Sequence, residues 1–144
     1  MKAPKHATTN YKALRPFLDA LTDTESLRIE NEPYERLCLE DLGYTDYRGR
    51  PVYSMAHYYE QNGDLMADPD LTFSVDIEAG EIWPQTYQQD DRGLYQEVFK
   101  YTADGRHLYS RSLLCSLDDF LWHWTKNLKA QGFYAALAAM RKSV

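Results

Sequence analysis

Between Ser26 and Tyr101 the chain runs through six short segments in which apolar and polar residues alternate. They span residues 26–30, 34–41, 52–60, 71–77, 82–89 and 94–101. Turn residues punctuate them: Asn31 and Pro33, Gly43 and Gly49, Asn62-Gly63, Ala79-Gly80, Asp91 and Gly93, and finally Asp104-Gly105. A period of two marks half-buried strands, and Gly, Asn, Asp and Pro mark the breaks between them. Connections this short cannot hold a crossover, so the strands are expected to follow one another as an antiparallel meander.

Helical patterns flank the strands. In residues 11–21, Tyr11, Leu14, Leu18 and Leu21 share one helix face, with Thr9 or Asn10 as N-cap. Pro16 should kink or restart that helix. A second helix is expected to start at Ser116, with Asp118 and Asp119 in its first turn, where the helix dipole favours anions. Leu117, Phe120, Leu121, Trp124 and Leu128 form its stripe, Lys126 and Lys129 its last turns, and Gly132 its C′ position. The Ala-rich end, residues 133–144, should add a short helix. The expected fold is α+β: an N-terminal helix, a meander sheet of about six strands, and a C-terminal helix packed on one sheet face. Residues 1–144 are read as a single domain, with 1–10 as a loose terminus.

Composition narrows the class. A chain of 144 residues with 44% apolar and 26% charged residues is that of one globular domain. No apolar stretch reaches the ~20 residues of a membrane span, and the polar, basic start is unlike a signal peptide. Cys38 and Cys115 each sit in an apolar pattern and read as buried, reduced thiols, which suits the cytoplasm.

Charge is unevenly distributed. Residues 1–16 carry Lys2, Lys5, Lys12 and Arg15 and no acid. Residues 51–91 carry no Lys or Arg but nine acids: Glu60, Asp64, Asp68, Asp70, Asp76, Glu78, Glu81, Asp90 and Asp91. Such a region repels phosphates, so direct nucleic-acid binding is not expected, whereas a basic protein surface would be steered in. Twelve tyrosines supply contact area at low entropy cost.

Asn62-Gly63 fits a two-residue type I′ hairpin. A tight loop pairs Gln61 with Asp64, Tyr59 with Met66 and His57 with Asp68. Tyr53, Met55, His57, Tyr59, Asp68, Asp70, Thr72, Ser74 and Asp76 would then share an outer face. Val52, Ala56, Tyr58, Leu65, Leu71, Phe73, Val75 and Ile77 would line the core. Pro69 cannot donate to the ladder, and a wider loop over 62–69 is the competing arrangement.

The leading expectation is a non-enzymatic protein that docks a protein partner with a basic surface through this acidic, Tyr-rich face. The contact residues are His57, Tyr59, Asp64, Asp68, Asp70 and Asp76. No cofactor is expected. The alternative is a small metal-binding or hydrolytic domain using His57, Asp64 and Asp68, with Glu60 beside them. His6, His107 and His123 read as structural. Trp122 lies off the apolar stripe, either packed under the C-terminal tail or exposed as an interface anchor, so monomer and homodimer both stay open.

Three stretches carry a resemblance: His57-Tyr-Tyr-Glu-Gln-Asn-Gly-Asp-Leu-Met-Ala-Asp-Pro69, Thr86-Tyr-Gln-Gln-Asp-Asp-Arg-Gly-Leu-Tyr-Gln96 and Phe120-Leu-Trp-His-Trp-Thr-Lys-Asn-Leu-Lys-Ala-Gln-Gly132. Over residues 27–132 the chain resembles an uncharacterised bacterial family of small domains often encoded on plasmids, prophages and integrative elements. Its last three strands and helix are similar, more distantly, to another small uncharacterised proteobacterial family. Neither likeness brings an activity or catalytic residues. The first implies a cytoplasmic accessory protein of a mobile element, a class in which blocking host-defence complexes is a plausible role.

Overall fold

The computed structural model describes residues 1–142; Ser143 and Val144, the end of the Ala-rich segment, lie outside the described residues. Helix α1 (Ala7–Ala20) precedes strands β1 (Ser26–Asn31), β2 (Tyr34–Thr45), β3 (Pro51–Gln61), β4 (Asp64–Asp76), β5 (Glu81–Gln89) and β6 (Leu94–Glu97). A short hairpin of β7 (Phe99–Tyr101) and β8 (His107–Tyr109) leads to α2 (Arg111–Ala130) and α3 (Phe133–Lys142). The first six strands form one antiparallel sheet in the order β1-β2-β3-β4-β5-β6, the meander that the short connections require. The expected strand over 94–101 divides at Val98, whose N–H donates to Gln85 O at 2.8 Å while its buried side chain joins the core.

The three helices gather on one side of the sheet. Leu14 and Phe17 of α1, Leu114, Leu117, Leu121, Trp124 and Leu128 of α2, and Phe133 and Leu137 of α3 meet Ile29, Leu37, Leu39, Met55, Leu71, Phe73, Val75 and Ile82. Helix α1 starts at His6 and runs unbroken through Pro16, which is exposed, so its missing N–H costs one hydrogen bond on the outer side. Asn10 does not cap it but lies fully buried against α2. Helix α2 likewise starts earlier than expected: Ser110 is its N-cap and accepts from Leu113 N–H at 3.2 Å. Its end is as read, with Gly132 in the left-handed region at φ 91°. The first residues are tied down rather than loose, since Arg111 donates to the Lys2 carbonyl and His6 N–H to Asp118.

The β3–β4 hairpin turns tightly at Asn62 and Gly63, with φ 53° and 84°, and the pairs Gln61–Asp64 and Tyr59–Met66 form as expected. The expected pair His57–Asp68 does not. Between Ala56–Asp70 and Tyr58–Ala67 the register shifts, and β4 spends one more residue than β3, at Asp68-Pro69. Pro69 has no N–H for the ladder, which makes this the place where pairing is cheapest to interrupt. One extra residue reverses the sidedness of everything beyond it. Tyr53 therefore pairs with Phe73 and Met55 with Leu71, on the helix side. The expected outer face of Tyr53, Met55 and His57 is the core face. Val52, Ala56 and Tyr58 share the opposite side with Asp70, Thr72 and Ser74.

Candidate functional site

A meander places alternate turns at the same end of the sheet. The β1–β2, β3–β4 and β5–β6 connections, residues 32–33, 62–63 and 90–93, therefore stand side by side. They and the flanking strand ends bring Glu32 and Glu35 together with Glu60, Asp64 and Asp68 and with Asp90 and Asp91. The cations at these turns are Arg36, which pairs with Glu30 at 3.5 Å, and Arg92. Tyr59 is the focus of the cluster. Partial desolvation, then the carboxylates of Asp91, Asp68, Asp90 and Glu35, hold its phenol above the ordinary value. Asp90 is fixed by hydrogen bonds from Ala67 N–H at 2.7 Å and from Gln88 Nε2 at 2.6 Å, which keep its carboxyl below the usual range. Gln89 Nε2 reaches Asp68 Oδ1 at 3.5 Å. Leu65, 57% exposed, stands at the hairpin tip beside Asp64.

From this acidic end the helix-free face of the sheet extends as two ladder rows. One runs Arg28, Cys38, Ala56, Asp70, Gln88, Tyr95, and the next Ser26, Glu40, Ser54, Thr72, Thr86, Glu97. The middle of both rows is small or polar, and Thr72 and Thr86 share a hydroxyl hydrogen bond of 2.5 Å. Tyr58 O–H donates to Asp70 Oδ2 at 3.2 Å, while Asp70 Oδ1 is buried without a donor. Desolvation, with Asp90 and Glu40 adding to it against the Tyr58 hydrogen bond, pushes the Asp70 carboxyl up. Desolvation and the Asp70 charge push the Tyr58 phenol up as well. The Cys38 thiol is also raised by burial, against the opposing pull of Arg36 and Arg28, so it is not an activated nucleophile. At the far end the β2–β3 turn closes over this face: Arg50 Nε donates to Asp46 Oδ2 at 2.8 Å, and Arg48 and Arg50 both lie over the Trp83 ring.

The six expected contact residues are thus divided. Tyr59 and Asp68 belong to the acidic end, and Asp64 stands exposed at its hairpin tip. Asp70 lies on the open face. His57 turns toward the helices, with its ring near Trp124 and Phe133 and Nδ1 3.0 Å from Glu35 O. Asp76 is at the opposite end, where it accepts from Ala79 N–H in the β4–β5 turn. Among the described residues His57, Glu60, Asp64 and Asp68 do not converge as a ligand set. Trp122 is neither under the tail nor a free anchor: His6 stacks on it at 4.7 Å and Lys126 lies over its ring. Glu35, Tyr58, Asp90 and Asp91 join the site although the charge run and the hairpin register do not mark them as contacts. The turn parity of the meander was the signal that places Asp90 and Asp91 beside Asp64.

One groove, about 490 Å³, does not coincide with the acids of residues 51–91. It lies between β6 and the β7–β8 hairpin, lined by Tyr95, Glu97, Val98, Leu108 and Tyr109 among others. None of the described helices is long and apolar enough to cross a membrane.

Neither a curated protein nor a solved structure matches the chain. A family model does, over residues 9–134, from α1 through the start of α3. This match covers the whole sheet with its acidic end and stops where the Ala-rich end begins. The chain belongs to the family described as Domain of unknown function (DUF6908).

Proposed function

We propose that the domain is a non-enzymatic binding module whose acidic sheet end docks a protein partner with a basic surface. The observation that carries this reading is the gathering of Glu35, Asp64, Asp68, Asp90 and Asp91 at one end of the meander, in a chain whose residues 51–91 hold no Lys or Arg. Carboxylates that outnumber the nearby Arg36 and Arg92 form a field that attracts cationic side chains and speeds their encounter. Tyr59 and the tip residue Leu65 offer contact area that a partner can desolvate. Asp70, with its undonated Oδ1, offers an acceptor on the adjoining open face. Of the expected contacts, Tyr59, Asp64, Asp68 and Asp70 remain in this proposal; His57 and Asp76 leave it because they point elsewhere.

The resemblance to mobile-element domains frames the setting as a cytoplasmic accessory role. If the partner grips nucleic acid, this end would compete for its basic groove. Recovery of a partner from native-host lysate tests the proposal when repeated with Asp64, Asp68, Asp90 and Asp91 all changed to Asn. Loss of the partner at moderate salt is expected. Equal recovery by the variant would remove the acidic end from binding.

A further inference from the structure

Away from the acidic end, metal-ligating side chains from two distant segments meet where α1 abuts α2. His6 precedes α1, and Asp118 and Asp119 lie in the second turn of α2; one ligand atom from each falls within 4.8 Å of the others. His6 Nε2 is 2.9 Å from Asp119 Oδ1. Two ligands each about 2.1 Å from a tetrahedral zinc ion stand about 3.4 Å apart, so this pair lies within about half an ångström of the spacing of neighbouring ligands. The His6 N–H donates to Asp118 Oδ2 at 2.9 Å, and Asn10 Nδ2 approaches Asp118 Oδ1 at 3.4 Å.

Burial separates this cluster from an ordinary surface pair. Asp118 is 1% exposed and Asn10 0%, while the Asp119 side chain is 62% exposed and opens the group to water. A buried carboxylate is costly unless cationic charge compensates it. Its direct partners here are a backbone N–H and an amide, with His6 and Arg111 acting on it through space. An ion pair and a hydrogen bond from the His6 backbone explain the two short contacts. They leave Asn10 Oδ1, the oxygen of a fully buried amide that abuts the Asp118 carboxylate, without any donor.

We infer that His6, Asp118 and Asp119 form a site for a divalent cation of the zinc class, with Asn10 behind it and water on the open side. One imidazole with two carboxylates is a borderline donor set, which suits Zn²⁺ or Ni²⁺ better than Mg²⁺ or Ca²⁺. The cation takes the place of the His6–Asp119 hydrogen bond, so the ring binds neutral through Nε2. Trp122, stacked on His6 at 4.7 Å with 11° between the planes, holds the ring in place and reports on it. The site joins the N-terminal segment to α2 and involves none of the residues proposed for partner binding.

The test uses the full chain freed of metal by a chelator. Zn²⁺ at about a hundred times its dissociation constant is expected to raise the thermal midpoint by roughly 5–10 °C, and Mg²⁺ and Ca²⁺ to leave it within about 1 °C. Ni²⁺ is expected to quench tryptophan emission. Trp122→Phe should lose most of that quenching yet keep the Zn²⁺ shift. His6→Gln and Asp119→Asn should each weaken Zn²⁺ at least about tenfold; Asp119 is exposed, so its variant keeps the fold. Identical midpoints in Zn²⁺ and chelator would overturn the inference. A shift that survives undiminished in both His6→Gln and Asp119→Asn would overturn it equally.

Discussion

The two faces of the sheet are built on the same six strands and differ in almost everything else. On the helix side, Leu37, Met55, Leu71, Phe73 and Ile82 are all fully buried under three helices. On the other, the same strands present Arg28, Cys38, Ser54, Tyr58, Asp70, Thr72 and Thr86, and none of the described helices covers them. The first face is held by apolar burial, which is indifferent to direction. The second keeps a buried carboxyl with an undonated oxygen, which costs stability and is the kind of group a binding surface retains. A surface that carries such a cost without a structural return is where function is expected to lie.

Substitutions can break this contrast at either side. The largest effect is expected for Phe73→Ala, which empties a fully buried position and should cost about 3–5 kcal/mol in a denaturant titration. A loss below about 1 kcal/mol would mean that the helix side is not the core. Asp46→Ala comes next, at about 3 kcal/mol, because it strands the Arg50 guanidinium at a site where both side chains are less than a tenth exposed. Burial pushes the Asp46 carboxyl up. Hydrogen bonds from the Arg50 backbone, Ser74 and the Arg50 side chain together pull it below its ordinary 3.8. A carboxyl lower in the folded state than in the unfolded one stabilises fully above the unfolded value and loses that contribution as pH falls through the folded one. The difference between wild type and Asp46→Ala should therefore shrink on acidification below about pH 4, and a constant difference would contradict the pairing.

Asp70→Asn is expected to act in the opposite direction. The Asp70 carboxyl is raised, so the folded state holds its proton more tightly than the unfolded one. Stability then falls as pH rises through this window and stays lower above it. The amide removes that cost and can still accept from Tyr58, so the variant should melt about 2–4 °C higher at pH 7 and match wild type near pH 3. A lower midpoint at pH 7 would show that Asp70 serves the fold. The smallest effect is expected for Thr72→Ala on the same open face, within about 0.5–1 kcal/mol despite its bond to Thr86.

Much of the architecture could be read from the residues, because a period of two and short turns leave few topologies. The six-strand meander, the Asn62-Gly63 turn, the Gly132 terminus and the apolar stripe of α2 all follow from local chemistry. Sidedness did not. Period two fixes a face only relative to its neighbour, and the single extra residue at Asp68-Pro69 exchanged the two faces of β3 against β4. Pro69 pointed to a break in the ladder but not to its size. Helix starts were missed where tertiary contacts replaced local ones: Asn10 looked like a cap and instead packs on Asp118. Of the site, Tyr59, Asp64 and Asp68 follow from the charge run, whereas Glu35 lies outside it and joins them from the neighbouring strand β2.

Amide hydrogen exchange on the domain, alone and bound to the partner recovered from its native host, separates the two regions most directly. Added protection is expected at residues 59–68 and 88–92, the strand ends and turns of the acidic end, with little change in α2 and α3. Protection concentrated on the helices, with residues 59–68 and 88–92 exchanging as they do in the free domain, would contradict the assignment of binding to the acidic end.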